Sequence, residues 1–128
     1  MATIAPYQPE SEFDTPEGCF ITELHKTTDD PACSIALARM PEGKQTRWHR
    51  LRDTAERYVI IEGQGDVEVG DEAPVTVHRL DVVNIPADTA QRITNTGQGD
   101  LVFLCICTPS FSEDCYIDCD EEQERESV

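Results

Sequence analysis

Between Gly43 and Gly63 the chain alternates with a period of two, and this alternation constrains the fold more than any other feature. Gln45, Arg47, His49 and Leu51 share one face of an expected strand, and Glu56, Tyr58 and Ile60 share one face of the next. Tyr58-Val59-Ile60-Ile61 reads as a buried strand run, closed by the turn Glu62-Gly63-Gln64-Gly65. If both faces point inward, the His49 imidazole and the Glu56 carboxylate meet inside a small barrel.

The rest of the chain continues the pattern. Its apolar residues form short runs separated by Gly, Pro, Asp and Asn clusters, which argues for an all-β domain and against long amphipathic helices. Strands are predicted over residues 20–26, 34–40, 45–51, 57–62, 65–69, 75–80, 82–85, 91–95 and 101–108, with a short helix opening at Ser112. A chain of 128 residues is long enough for one domain with its own core, and residues 18–117 are expected to supply it. Residues 1–17 hold three prolines and four acids and read as an extended arm. Residues 118–128 are mostly acidic and read as a disordered tail.

The net charge is −16, from 10 Lys and Arg against 26 Asp and Glu. A uniformly negative surface without a basic stripe repels phosphate, so nucleic acid is excluded as a partner. No apolar stretch approaches the length of a membrane span, and the start lacks the pattern of a secretory leader, so a cytoplasmic location is expected. The six cysteines (Cys19, Cys33, Cys105, Cys107, Cys115 and Cys119) lack the Cys-x-x-Cys spacing of a zinc knuckle and read as structural thiols. Cys105 and Cys107 share one strand face.

In these residues the chain resembles the cupins. The family's first motif is a glycine, five residues, His-x-His, three or four residues, a glutamate, six residues and a glycine. Gly43, His49, Glu56 and Gly63 match it, with Leu51 in place of the second histidine. The second motif is a glycine, five residues, Pro-x-Gly, two residues, a histidine, three residues and an asparagine. Pro86 and Asn95 stand in register, while Leu80, Asp88 and Gln91 occupy the places of the two glycines and the histidine. The resemblance spans residues 20–117, and it implies a single-domain cupin β-barrel, a double-stranded β-helix or jelly roll.

Carried over residue by residue, the resemblance implies a metal set of His49, Glu56 and Gln91 around one divalent ion (Mn, Fe, Ni or Zn). One imidazole, one carboxylate and one amide suit harder ions better than copper. The alternative is a metal-free cluster in which His49 and Glu56 are satisfied by hydrogen bonds. Glu56 and Tyr58 are the candidate catalytic groups, and Arg47, Leu51, Ile60, Ile93, Phe103 and Cys105 are the candidate pocket lining. Arg47 either reaches the lumen or pairs with a surface acid. Three functions are compatible with these residues: a metal-dependent oxygenase or isomerase acting on a small molecule, a degenerate metal-free binding module, and a metal-independent isomerase-like enzyme with His49 as base. A two-fold homodimer is expected, with the arm carrying Tyr7 and Phe13 across the subunit boundary.

Overall fold

Short aliphatic runs bounded by turn residues become strands here, and these strands pair into two antiparallel sheets. The structure is a computed structural model that describes residues 1–16 and 18–126. In chain order the strands are β1 (Phe13–Asp14), β2 (Phe20–His25), β3 (Ser34–Met40), β4 (His49–Leu51), β5 (Ala55–Glu62) and β6 (Gly65–Val69). They continue as β7 (Val75–Val77), β8 (Val82–Ile85), β9 (Gln91–Asn95), β10 (Leu101–Thr108) and β11 (Tyr116–Asp118), followed by helix α1 (Cys119–Glu126). One sheet has the order β1-β2-β3-β10-β5-β8 and the other β11-β4-β9-β6-β7.

Alternation decides what faces inward. Glu56, Tyr58 and Ile60 are the buried residues of β5, and Gln91, Ile93 and Asn95 those of β9. Met40, Ile60, Val67, Ile85, Ile93 and Leu101 belong to one packed core with Tyr58 and Phe103. Burying a side chain of this size contributes roughly 1.5–3 kcal/mol. Asn95 ties the end of β9 down: its Nδ2 donates to the Met40 and Gly99 carbonyls, and its Oδ1 accepts from the Gly97 N–H.

The turns explain how motif positions can change while the fold persists. Gly63 has φ +90°, and a Cβ there would lie 2.7 Å from the Asp100 carbonyl oxygen, so glycine is required. Leu80 and Asp88, at the places of the two motif glycines, keep left-handed torsions of +71° and +64°. Asp88 tolerates this region and uses its carboxylate to accept the Asp53 N–H at 3.1 Å. Leu80 has no such compensation from its side chain, which is 61% exposed.

Three sequence expectations need correction. The strand predicted over 45–51 is assigned only from His49, with Gln45 in an isolated bridge to Thr94 and a bend at Trp48. The helix expected at Ser112 is a single 3-10 turn, Glu113–Cys115, and the Ser112 hydroxyl makes no capping bond.

The acidic tail is the largest departure. β11 pairs with β4, matching Tyr116 with Leu51 and Asp118 with His49. Cys119 is buried, its N–H donates to the Trp48 carbonyl, and Arg50 pairs with Glu122. Acidity does not leave this stretch unstructured, because Arg47 and Arg50 offset its charge and Cys115 and Cys119 anchor it. Residue 17 of the expected arm and residues 127–128 of the expected tail lie outside the described residues.

Leu80→Gly is expected to raise stability by about 1 kcal/mol, because relief of the left-handed strain exceeds the added backbone entropy of the unfolded chain. Urea unfolding checks it, and a lower midpoint at unchanged slope would contradict it.

Candidate functional site

A cavity of about 890 Å³ opens between the sheets, and Ile21, Ala38, Leu51 and Phe103 form part of its apolar wall. That volume lies within the range of small-molecule sites. The Tyr58 and Phe103 rings, with centroids 4.7 Å apart, belong both to the core and to the cavity wall, and so divide one from the other. His49, Glu56, Tyr58, Leu51 and Cys105 line the cavity. Ile60 and Ile93 were expected to line it too, but both are fully buried in the core behind those two rings.

Glu56 is 7% exposed, and a buried carboxylate requires donors. Gln91 supplies one: its Nε2 donates to Glu56 Oε1 at 2.8 Å. The Tyr58 hydroxyl donates in turn to Gln91 Oε1. Cys107, opposite Glu56 in the β10–β5 register, donates its thiol to Glu56 Oε2 at 3.6 Å. Burial first, and then the Glu56 charge, push the Cys107 thiol well above the ordinary thiol range, so it stays protonated as a donor.

His49 is buried, and β4 brings it opposite Gln91 on β9. Its Nδ1 lies 2.7 Å from the Arg47 carbonyl oxygen. A carbonyl only accepts, so this partner assigns the proton to Nδ1 and leaves Nε2 as the basic nitrogen. His49 lines the cavity, and Nε2 is the ring nitrogen not committed to the Arg47 carbonyl. The Tyr116 ring stacks on the imidazole, with centroids 5.0 Å apart and planes 18° from parallel.

The sequence model of the cupin domain matches residues 36–107, more than half of the chain. The chain belongs to the cupin family. An uncharacterised protein of Methanocaldococcus jannaschii is 33% identical over 81 residues, which are 63% of this chain. The match spans 64% of that relative's length. Among solved structures, a nucleoside dehydratase, Pac13 of Streptomyces, superposes with TM-score 0.73 at 17% identity, over 90% of each chain. KdgF of a Halomonas species gives TM-score 0.72 at 13% identity, over 89% of this cupin and 98% of that chain. A predicted oxalate decarboxylase of Thermotoga maritima gives 0.65 at 24% identity, over 71% and 80%. At these identities the structural likenesses carry the fold alone.

Many cupins hold a metal, and the donor chemistry of this one does not fit it. Gln91 is fully buried and does not line the cavity, and its amide oxygen, its one metal-binding atom, already accepts a hydrogen bond from the Tyr58 hydroxyl. Leu51 offers no donor, and the Cys107 thiol is committed to Glu56 Oε2. Of the three donor residues at the motif's ligand positions, only His49 and Glu56 line the cavity. Among the described residues no three His, Cys, Asp or Glu side chains come together in a metal-holding group. Gln91 is instead the brace of the pocket, with both ends of its amide committed to protein groups.

Two contributors escaped sequence reasoning. Cys107 shares the strand face of Cys105, but only the register with β5 reveals its contact with Glu56. Tyr116 lies outside every periodic run, and nothing in its neighbourhood marks it. Arg47 does not reach the lumen floor. Its guanidinium is half-exposed at the rim, where it donates to Asp118 through Nε at 2.6 Å and through Nη2 at 3.3 Å.

That pair gives the site a pH dependence. The hydrogen bond from Arg47 holds the Asp118 carboxyl below its ordinary 3.8, against the opposing effect of burial. A lowered folded-state value stabilises the fold above the unfolded pKa, and the contribution fades as pH falls through the folded value. The difference in melting temperature between wild type and Asp118→Asn should therefore be largest near neutrality and close below about pH 4. A difference that persists unchanged to pH 2 would contradict the assignment.

Proposed function

We propose that this cupin is a metal-independent enzyme that moves a proton on a small, uncharged hydroxylated carbonyl compound, with His49 Nε2 as general base. The observation that carries the reading is the hydrogen bond between His49 Nδ1 and the Arg47 carbonyl, which fixes the tautomer and leaves the Nε2 lone pair to the cavity. His49 takes the proton from a carbon beside the carbonyl, and the electrons of that C–H bond pass to the carbonyl oxygen as an enolate. Where the attacked carbon bears a hydroxyl, that hydroxyl proton passes to the enolate oxygen, and return of the carbon-bound proton from His49 to the former carbonyl carbon gives the isomer. Transfer of the proton to a departing β-hydroxyl releases water and leaves an alkene. Either route restores the neutral imidazole.

The wall chemistry selects the substrate class. Asp14, Glu23, Glu56, Glu113, Asp118 and Glu121 all line the cavity, so phosphorylated and carboxylated compounds are repelled. Of the basic side chains there, Arg47 is paired with Asp118 and His25 with Asp30, and Lys26 adds one positive charge against the six carboxylates. Aromatic surface from Tyr58, Phe103 and Tyr116 suits the apolar face of a sugar-like ring. The Streptomyces nucleoside dehydratase supports the reading in a limited sense, because its variants solved with uridine carry histidine-to-glutamine or tyrosine-to-phenylalanine replacements.

The same reading puts the protein in the cytoplasm, where six cysteines outside any disulfide suit a reducing environment. It also includes a two-fold homodimer. β8 leaves a free sheet edge, and Ile61, Leu80 and Val82 near it are exposed apolar groups. Light scattering at micromolar concentration is expected to give twice the chain mass, and a value of 14.3 kDa would exclude the dimer.

The enzymatic test is solvent deuterium exchange at carbon, followed by NMR, over a panel of neutral β-hydroxy aldehydes, β-hydroxy ketones and keto sugars. Exchange with at least one compound should survive exhaustive chelation and fall by at least about a hundredfold in His49→Gln. Exchange lost on chelation and restored by Mn(II) would overturn metal independence. Binding of these compounds without exchange would favour a binding module instead.

A further inference from the structure

Every residue from Arg47 to Arg52 is held by the segment from Asp114 to Glu122. Arg47 pairs with Asp118, the Trp48 carbonyl accepts from the Cys119 N–H at 2.8 Å, and Arg50 pairs with Glu122 at 3.2 Å. Leu51 packs with Cys115 and Tyr116. The Arg52 N–H donates to the Cys115 carbonyl at 2.7 Å, and its guanidinium donates to the Asp114 carbonyl at 2.7 Å. On its other side β4 is matched to β9 at His49–Gln91, and the Leu51 carbonyl accepts the Asp88 N–H at 2.9 Å. The C-terminal segment thus supplies most of the contacts along the strand that carries His49, with Asp88 closing its far end.

Two of these contacts act on His49 itself. The Tyr116 ring lies nearly parallel to the imidazole and blocks rotation of its plane. The acceptor for Nδ1 is the Arg47 carbonyl, and Arg47 is anchored through the two-pronged bond of its guanidinium to Asp118. The stacked ring holds the imidazole plane so that Nδ1 stays on the Arg47 carbonyl, and that carbonyl fixes which nitrogen carries the proton, so losing either contact frees the tautomer.

We propose that the segment from Cys115 to Glu122 is the positioning element of the acid–base site, with Tyr116 as the positioning residue that keeps His49 Nε2 directed into the cavity. The proposal rests on the reading of His49 as the proton-transfer group. Tyr116 takes no part in the proton transfer. It removes a rotation that would swing Nε2 out of line, and displacements of about 1 Å at a reacting group can cost about a hundredfold in rate.

The test uses the full chain as wild type, Tyr116→Phe, Tyr116→Leu and Asp118→Asn, with 15N-labelled imidazoles read by long-range proton–nitrogen NMR. The His49 signals are assigned by their loss in His49→Gln. Wild type should show a single tautomer protonated on Nδ1, and Tyr116→Phe, which keeps the ring, should retain it. Tyr116→Leu should show mixed tautomers, and any deuterium exchange found in wild type should fall about tenfold in kcat with KM within about twofold. Tyr116→Leu that keeps the wild-type tautomer would overturn the proposal. If Tyr116→Leu does not fold, Asp118→Asn decides the matter: mixed tautomers support the clamp, and an unchanged tautomer overturns it. Loss of the tautomer in a protein that exchanges no compound would leave the clamp standing and refute the enzymatic reading alone.

Discussion

A carboxylate buried between two β-sheets must be given hydrogen-bond donors, and the pocket of this protein is organised around meeting that requirement for Glu56. Gln91 donates to one oxygen and Cys107 to the other. Gln91 can donate only because its amide is oriented by Tyr58, whose hydroxyl occupies the opposite end. Tyr58 in turn is set by its tilted contact with Phe103 and by pairing with Cys105 across β10. An imidazole bound to a metal has a single nitrogen left for such work, whereas the Gln91 amide serves two protein partners at once. The exchange of histidine for glutamine at this position thus replaces a ligand with a brace.

His49 depends on a different set of supports, and the two sets meet only at the cavity. Its acceptor is a backbone carbonyl, its stacking partner comes from β11, and its strand touches the rest of its sheet through Gln91. The acid-rich segment that supplies these contacts also contributes Asp118 and Glu121 to the cavity wall. A single stretch of chain therefore aligns the base and biases which molecules can approach it.

Where strands are regular, the sequence was a faithful guide. Alternation along β5, β9 and β10 correctly turned Glu56, Tyr58, Gln91 and Phe103 inward, because period two needs no information beyond the strand itself. It could not settle the depth of Arg47, because Thr46–Trp48 are not a strand and parity cannot be counted through them; Arg47 lines the cavity from its half-exposed rim. It failed for the depth of Ile60 and Ile93, since facing inward does not say whether a residue meets the core or the cavity. The C-terminal strand and helix were illegible for another reason. A run of acids looks unstructured when counted alone, and its arginine partners lie about 70 residues away.

The left-handed turns at Leu80 and Asp88 carry a lesson about motifs. The family motif writes glycine at both positions, and here a leucine and an aspartate take the positive φ that glycine adopts most readily. What these corners demand is a direction of the chain, and more than one residue type meets it once the flanking strands enforce it. A motif is thus written partly in angles, where an alphabet of side chains cannot spell it.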